Sequence, residues 1–200
     1  MRSDIMFIGV GGQGILTAIS ALGASTNRAG MNLVMSEVHG MAQRGGTVEA
    51  HVRIGDVHGP LIPDRSAVAM VAFEPCEALR GIGKISPDGV ILMNTNPIYP
   101  FTVSLGGEEY PAIEDIVSAL EGVAGSVVAF DALEIAKETG NPRGVNMVML
   151  GALVGTGVLP FPPETVRDVL PERIKEQFLE ASLKAFDAGV GKAAEVFTKD

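Results

Sequence analysis

The stretch that decides the fold is IMFIGVGGQGIL, residues 5–16. Its first half, residues 5–10, is a short apolar run of the kind needed by a strand buried on both faces, and glycines end it at once. From Ile15 the apolar positions Ile15, Leu16, Ile19 and Leu22 recur at helical spacing, until Asn27 to Gly30, where Gly30 suits a left-handed cap. Strand, glycine turn and helix form the opening unit of a parallel α/β sheet. The turn itself, Gly9-Val10-Gly11-Gly12-Gln13-Gly14, fits G-x-G-x-x-G, and Glu37 falls at the end of the next strand, 23 residues beyond Gly14. In that context glycines let backbone approach a pyrophosphate, and the helix start offers unpaired N–H groups and the positive end of a dipole. Gly9, Gly11, Gly12, Gln13, Gly14 and Glu37 are therefore candidate cofactor-binding residues. The other reading is a turn that is tight for structural reasons alone, and Gly12 and Gln13 are unusual members of the fingerprint.

The same alternation runs on through the chain. Residues 31–38 read as a second strand. Residues 47–54 alternate, with Val48, Ala50, Val52 and Ile54 on one face and Thr47, Glu49, His51 and Arg53 on the other, the pattern of a half-exposed strand. Gly55-Asp56 offers a tight turn into residues 57–62, which predicts an antiparallel hairpin set into the parallel plan. Residues 67–73, 89–94 and 126–130 are further strands. Helices are expected over 75–85, with Pro75 in the first turn, and over 113–120, 132–139 and 145–154. Gly151, inside the last and very apolar helix, suggests a close helix–sheet contact. Pro162-Pro163-Glu164 opens a short helix to Leu170. Pro171-Glu172 opens a long one, whose Leu179, Leu183, Phe186, Val190, Ala193 and Phe197 form a stripe of coiled-coil-like period. That stripe packs either across the domain's own core or on a partner chain, a second copy of this one included. The expected architecture is one α/β domain over residues 1–200, a Rossmann-like three-layer fold with a mostly parallel sheet, an inserted antiparallel hairpin and a long C-terminal helix.

Composition narrows the function. With 46% apolar residues and mean hydropathy +0.29, 200 residues suffice for a single core. The 15 basic and 24 acidic residues leave a formal charge of −9, which repels nucleic-acid phosphates and anionic lipid. No run approaches the roughly 18 apolar residues of a spanning helix, and the N-terminus leads into glycines instead of a cleavage site, so a cytoplasmic protein is expected. Cys76 is the sole cysteine, which excludes an internal disulfide, a thiolate zinc site and a cluster held by four cysteines of this chain. A nicotinamide dehydrogenase would also need a separate substrate domain, and none is visible.

A second informative stretch is SEVHGMAQRGG, residues 36–46. Gly40, Gly45 and Gly46 permit a tightly folded loop from which Arg44 can present a planar fork of donors to a carboxylate or phosphate. His39 is a candidate acid, base or donor near neutral pH. His39, Gln43, Arg44, Gly45 and Gly46 are candidate interface or anion-binding residues, against the plainer reading of a solvated loop. His51 and His58 read as surface residues, and the three histidines lack metal-ligand spacing. Cys76 follows Pro75 at a helix start, where a dipole could lower its pKa, but it has no nearby base in sequence and reads as packing. No catalytic residue is assigned to this chain.

Taken together, GVGGQGI at 9–15, EVHGMAQRGG at 37–46, HVRIG at 51–55, PLIP at 60–63, NMVMLGAL at 146–153 and AFDAG at 185–189 resemble the gamma subunit or domain of the 2-oxoacid:ferredoxin oxidoreductases. The wording of 37–46 is similar to the arylpyruvate branch, whose small (beta) subunit belongs to indolepyruvate:ferredoxin oxidoreductase. One departure is Ser182, where the family often has asparagine three residues before its Ala-Phe pair. The resemblance implies a small subunit that firmly binds no cofactor itself and docks on a large catalytic subunit carrying thiamine diphosphate and iron–sulfur clusters. That complex decarboxylates a 2-oxoacid, passes electrons to ferredoxin and transfers the acyl group to coenzyme A, a candidate ligand shared with the Gly9–Gly14 turn and Arg44. The alternative, from residues alone, is a free-standing Rossmann-like nucleotide-binding module.

Overall fold

Successive side chains of a strand point to opposite faces, and strand β1 (Arg2–Val10) uses both for apolar burial. Ile5 and Phe7 join one core while Met6 and Ile8 join another, all at most 1% exposed. The same division recurs on β4 (Ala67–Ala72), β5 (Ile85–Asn94) and β6 (Ser126–Phe130). A computed structural model of the chain describes residues 2–40 and 45–197. Six strands form one sheet in the order β2-β3-β1-β4-β5-β6, where β2 is Leu33–His39 and β3 is Thr47–Gly55. Pairs β1/β4, β4/β5 and β5/β6 are parallel, whereas β3 runs antiparallel to both neighbours, β1 and β2.

Helices cover both faces. Against the first core lie α1 (Ile15–Arg28), α5 (Ala132–Glu138), α6 (Val145–Gly155), α7 (Pro163–Arg173) and α8 (Glu176–Phe197). Against the second lie α2 (Pro75–Gly81) and α4 (Ile113–Glu121), and the short α3 (Phe101–Ser104) follows β5. The α/β sandwich with its antiparallel insertion and long last helix is the expected one. Among the described residues no helix is long and apolar enough to cross a membrane.

The inserted hairpin has different members from those the Gly55-Asp56 turn suggested. It is β2 with β3, joined through residues 40–46, and residues 57–62 form no strand. They instead cross the second face of β3 and bury it. Arg53, 6% exposed, donates to the carbonyls of Gly59 (2.6 Å) and Leu61 (3.0 Å) and to Asp4 Oδ1 (2.9 Å). His51, expected at the surface, is 2% exposed: its Nδ1 accepts from the Ile62 N–H and its Nε2 meets Glu49 at 2.8 Å. Burial lowers its pKa, with Glu49 opposing. Alternation of polar residues therefore marked a face closed by hydrogen bonds to a loop, not a face left in water. His58 is fully exposed, as expected.

Two more expectations change. The long helix begins at Glu176, and Pro171 lies inside the last turns of α7, where its missing N–H forgoes a single helical bond. Gly151 serves a helix–helix contact: a Cβ there would sit 2.0 Å from the Phe186 carbonyl of α8, and one on Gly189 would sit 2.0 Å from the Val148 carbonyl of α6. All of the α8 stripe except Leu179 is taken up by the protein's own core, with Phe186 and Ala193 buried and Leu183, Val190 and Phe197 packed against them. Ser182 is buried and accepts a hydrogen bond from Asn141 Nδ2 at 3.3 Å.

Candidate functional site

Parallel strands end together, so their C-terminal edge gathers the loops after β1, β4, β5 and β6, joined by the end of β2 and the start of the reversed β3. At the centre is the glycine turn. Gly12 (φ 104°) and Gly14 (φ 78°) take left-handed backbone that other residues rarely adopt. Gly14 precedes α1 as its N-cap with no side-chain cap; the Thr17 N–H meets Gly14 O at 3.1 Å, and no side chain caps the N–H groups of Ile15 and Leu16 before it. The Gly11 N–H donates to Gly46 O at 2.9 Å, tying the turn to the loop before β3.

Gln13 lines the cleft and also braces the turn from within. Its Oε1 accepts from the Val10 N–H at 2.7 Å and its Nε2 donates to Phe73 O at 2.8 Å, so the amide ties the end of β1 to the residue that follows β4. Gly9 makes room for that clamp, since a Cβ there would lie 2.5 Å from Gln13 Oε1. Asn94 supports it from β5, donating to the same Phe73 carbonyl and accepting from the Ala132 N–H. Asn146 of α6 donates to Gly14 O at 3.3 Å.

A cleft of about 710 Å³ opens over this turn, walled by Gly11 to Leu16, His39, Gly40 and Val48. It brings His39 and the glycines together. Glu37 lines a separate recess on the flank of α1. The reason is topological: in a dinucleotide-binding sheet the second strand lies beside the first, whereas β3 here separates them and carries Glu37 roughly 10 Å away by strand spacing alone. Glu37 and His39 face each other at 3.8 Å. Gln43 and Arg44 lie outside the described residues. Gly45 and Gly46 flank the start of β3, and Gly45 borders a second hollow described below.

Sequence reasoning missed three groups on this edge. Arg143, exposed before α6, shares a recess of about 410 Å³ with Gly12, Gln13, Asn94 and Asn96; no spacing rule links it to a turn 130 positions earlier in the chain. Glu74 caps α2, accepting from the Glu77 N–H at 3.0 Å, the Tyr110 hydroxyl at 2.5 Å and the Ile98 N–H at 3.3 Å. Glu77 is almost wholly buried beside it. An acid before Pro75 was the available signal for the cap. Cys76 lies between them; burial pushes its thiol up, against the lowering its helix start suggested. Among the described residues no group of three His, Cys, Asp or Glu side chains is placed to hold a metal ion. Around the glycine turn, the described residues offer backbone N–H groups, the Arg143 guanidinium and apolar walls, a surface suited to an anionic group with an apolar stem.

Comparison with known proteins bears on that chemistry. A family model described as pyruvate ferredoxin/flavodoxin oxidoreductase matches residues 4–192. The indolepyruvate oxidoreductase subunit IorB of Methanothermobacter thermautotrophicus is 42% identical over 195 residues, covering 98% of this chain and 100% of that one. The subunit of the same name from Archaeoglobus fulgidus is 42% identical over 96% of each. In structure, the gamma subunit of a keto/oxoacid ferredoxin oxidoreductase from Geobacter sulfurreducens superimposes with a TM-score of 0.74 at 27% identity, covering 98% of both chains.

Proposed function

Because the chain belongs to the pyruvate ferredoxin/flavodoxin oxidoreductase family, we propose that it is the small subunit of an indolepyruvate:ferredoxin oxidoreductase, working inside a complex whose reacting centre lies on a larger subunit. The observation that carries this reading is the end-to-end likeness to subunits of that name. Such a complex would hold thiamine diphosphate and iron–sulfur clusters on the larger subunit, which would supply the electron sink for loss of carbon dioxide and the path of electrons to ferredoxin. A lone cysteine gives this chain no donor set for such a cluster.

What this chain contributes is shape and charge at the C-terminal edge. The Gly12–Leu16 backbone and Arg143 receive an anionic group of coenzyme A, the first through N–H groups at a helix start, the second through a forked guanidinium. His39, on the wall of the cleft, extends that surface. The test is co-expression with a large indolepyruvate oxidoreductase subunit from the same source, followed by assay with indolepyruvate, coenzyme A and ferredoxin. The complex turns over and the isolated 200-residue chain does not; turnover by the chain alone, or a complex inert on every aryl 2-oxoacid, refutes the assignment. In the same complex Arg143→Ala raises the KM for coenzyme A about tenfold, the loss of roughly 1.4 kcal/mol, and an unchanged KM removes Arg143 from the ligand site.

A further inference from the structure

A hollow of about 350 Å³ lies between the start of β3, helix α2 and the segment after β5, and one wall is Glu77. The Glu77 side chain is 7% exposed, and its Oε2 has no hydrogen-bond partner among the described residues. Its Oε1 accepts from Arg80 Nη1 at 2.9 Å, and the same Nη1 donates to Thr47 Oγ1 at 2.9 Å. Glu74, equally buried, adds a second carboxylate whose oxygens are already taken by Tyr110, Ile98 and the Glu77 N–H. A buried acceptor left unmet costs about 1–3 kcal/mol, and a charged donor recovers more than a neutral one. Burial pushes the Glu77 carboxyl up and the neighbouring Glu74 adds to that, while Thr47 and Arg80 pull it back.

Beside the hollow stands an apolar ledge in water. Ile98, Tyr99, Phe101 and Leu105 are 42%, 58%, 77% and 70% exposed. The ledge is held in place: Tyr99 packs edge-on against Tyr110 with ring centres 5.2 Å apart, and the Ile98 N–H is bonded to Glu74. Acid and ledge thus form a single pre-ordered unit, which lowers the entropy lost when something docks.

We propose that this unit is the anchor for the larger partner subunit, with the hollow receiving an arginine or lysine of that subunit and the ledge receiving the apolar residues around it. The claim rests on the subunit reading above and names where the two chains are pinned. Arg80 also lines the hollow, but the two carboxylates leave its lining with a net negative charge that turns away phosphates and anionic lipid headgroups, and a small free cation would leave the ledge uncovered. Aromatic side chains flanking a buried charge are the usual make-up of the few residues that dominate an interface. The hollow shares Val10 with the cleft over the glycine turn, so a partner seated here stands beside that cleft.

The experiment measures association of the separately purified chain and the large subunit by calorimetry, for wild type, Phe101→Ser and Glu77→Gln. Each variant weakens binding by roughly 10-fold or more, while circular dichroism and Tm of the isolated variants match wild type. If Glu77→Gln lowers Tm, Glu77→Asp takes its place, since it keeps the charge but withdraws it from the hollow. A wild-type chain that does not bind the large subunit refutes the subunit reading. A wild-type chain that binds, with either variant within twofold of it, refutes the anchor alone. Self-association of the chain that Phe101→Ser abolishes, with binding to the large subunit intact, also refutes it.

Discussion

At the scale of single residues, the polar groups of this chain are committed inward to a degree that their spacing conceals. Gln13 belongs to a ligand fingerprint by position and to a backbone clamp by its bonds. Asp4, 2% exposed, joins Arg2 and Arg53 across β1 and β3. Burial alone would raise its carboxyl, but the two guanidiniums outweigh that and hold it below the usual range. For a pKa depressed by folding, the stabilisation is complete above the unfolded value of about 3.9 and drains as pH falls through the folded one. Asp4→Asn should therefore cost about 3–5 kcal/mol at pH 7, because Arg53 is left buried without its partner, and the variant's stability should vary less with pH below roughly 4 than wild type's. Urea unfolding at several pH values checks both, and parallel curves for the two proteins would contradict the linkage.

Among the elements, helices α6 and α8 cross with backbone close against backbone. Gly151 and Gly189 each face a carbonyl oxygen where a Cβ would intrude at 2.0 Å, too close for any rotamer change to relieve. Gly151→Ala or Gly189→Ala should destabilise by about 3 kcal/mol or more, lowering Tm by roughly 6–12 °C in a chain of this size. Gly191 is the internal control: it lies on α8 with open space around its missing Cβ. Gly191→Ala should be neutral or raise stability by up to about 1 kcal/mol through helix propensity. Equal Tm losses for all three would mean that the crossing is not what the glycines serve. The sequence offered the apolar run, the glycine and the stripe, yet could not say that the first two met the third, because a period of 3.6 identifies a face but not its neighbour.

In the whole molecule, the central strands belong to both cores at once. Ile5 and Phe7 alternate with Met6 and Ile8, and Val90 and Leu92 with Ile91 and Met93, so neither layer of helices can leave without exposing strands the other needs. One domain over the chain is expected to unfold in a single transition with equal calorimetric and van't Hoff enthalpies; two resolved transitions would divide it. Much of this molecule was legible beforehand. Ile5 to Gly14 specified a buried strand, a glycine turn and a helix start, since those follow from local sterics and hydrophobic period, and the blocks from Gly9 to Gly189 pointed to the family. The turn's glycines and His39 do meet in one cleft. Only the tertiary structure decided which strand lies beside β1, and by that insertion it sent Glu37 to another recess, buried His51 and Arg53 under residues 57–62, and brought Arg143, Glu74 and Glu77 to the same edge. Strand order and long-range pairing depend on contacts between residues far apart in the chain, and no local pattern carries that information.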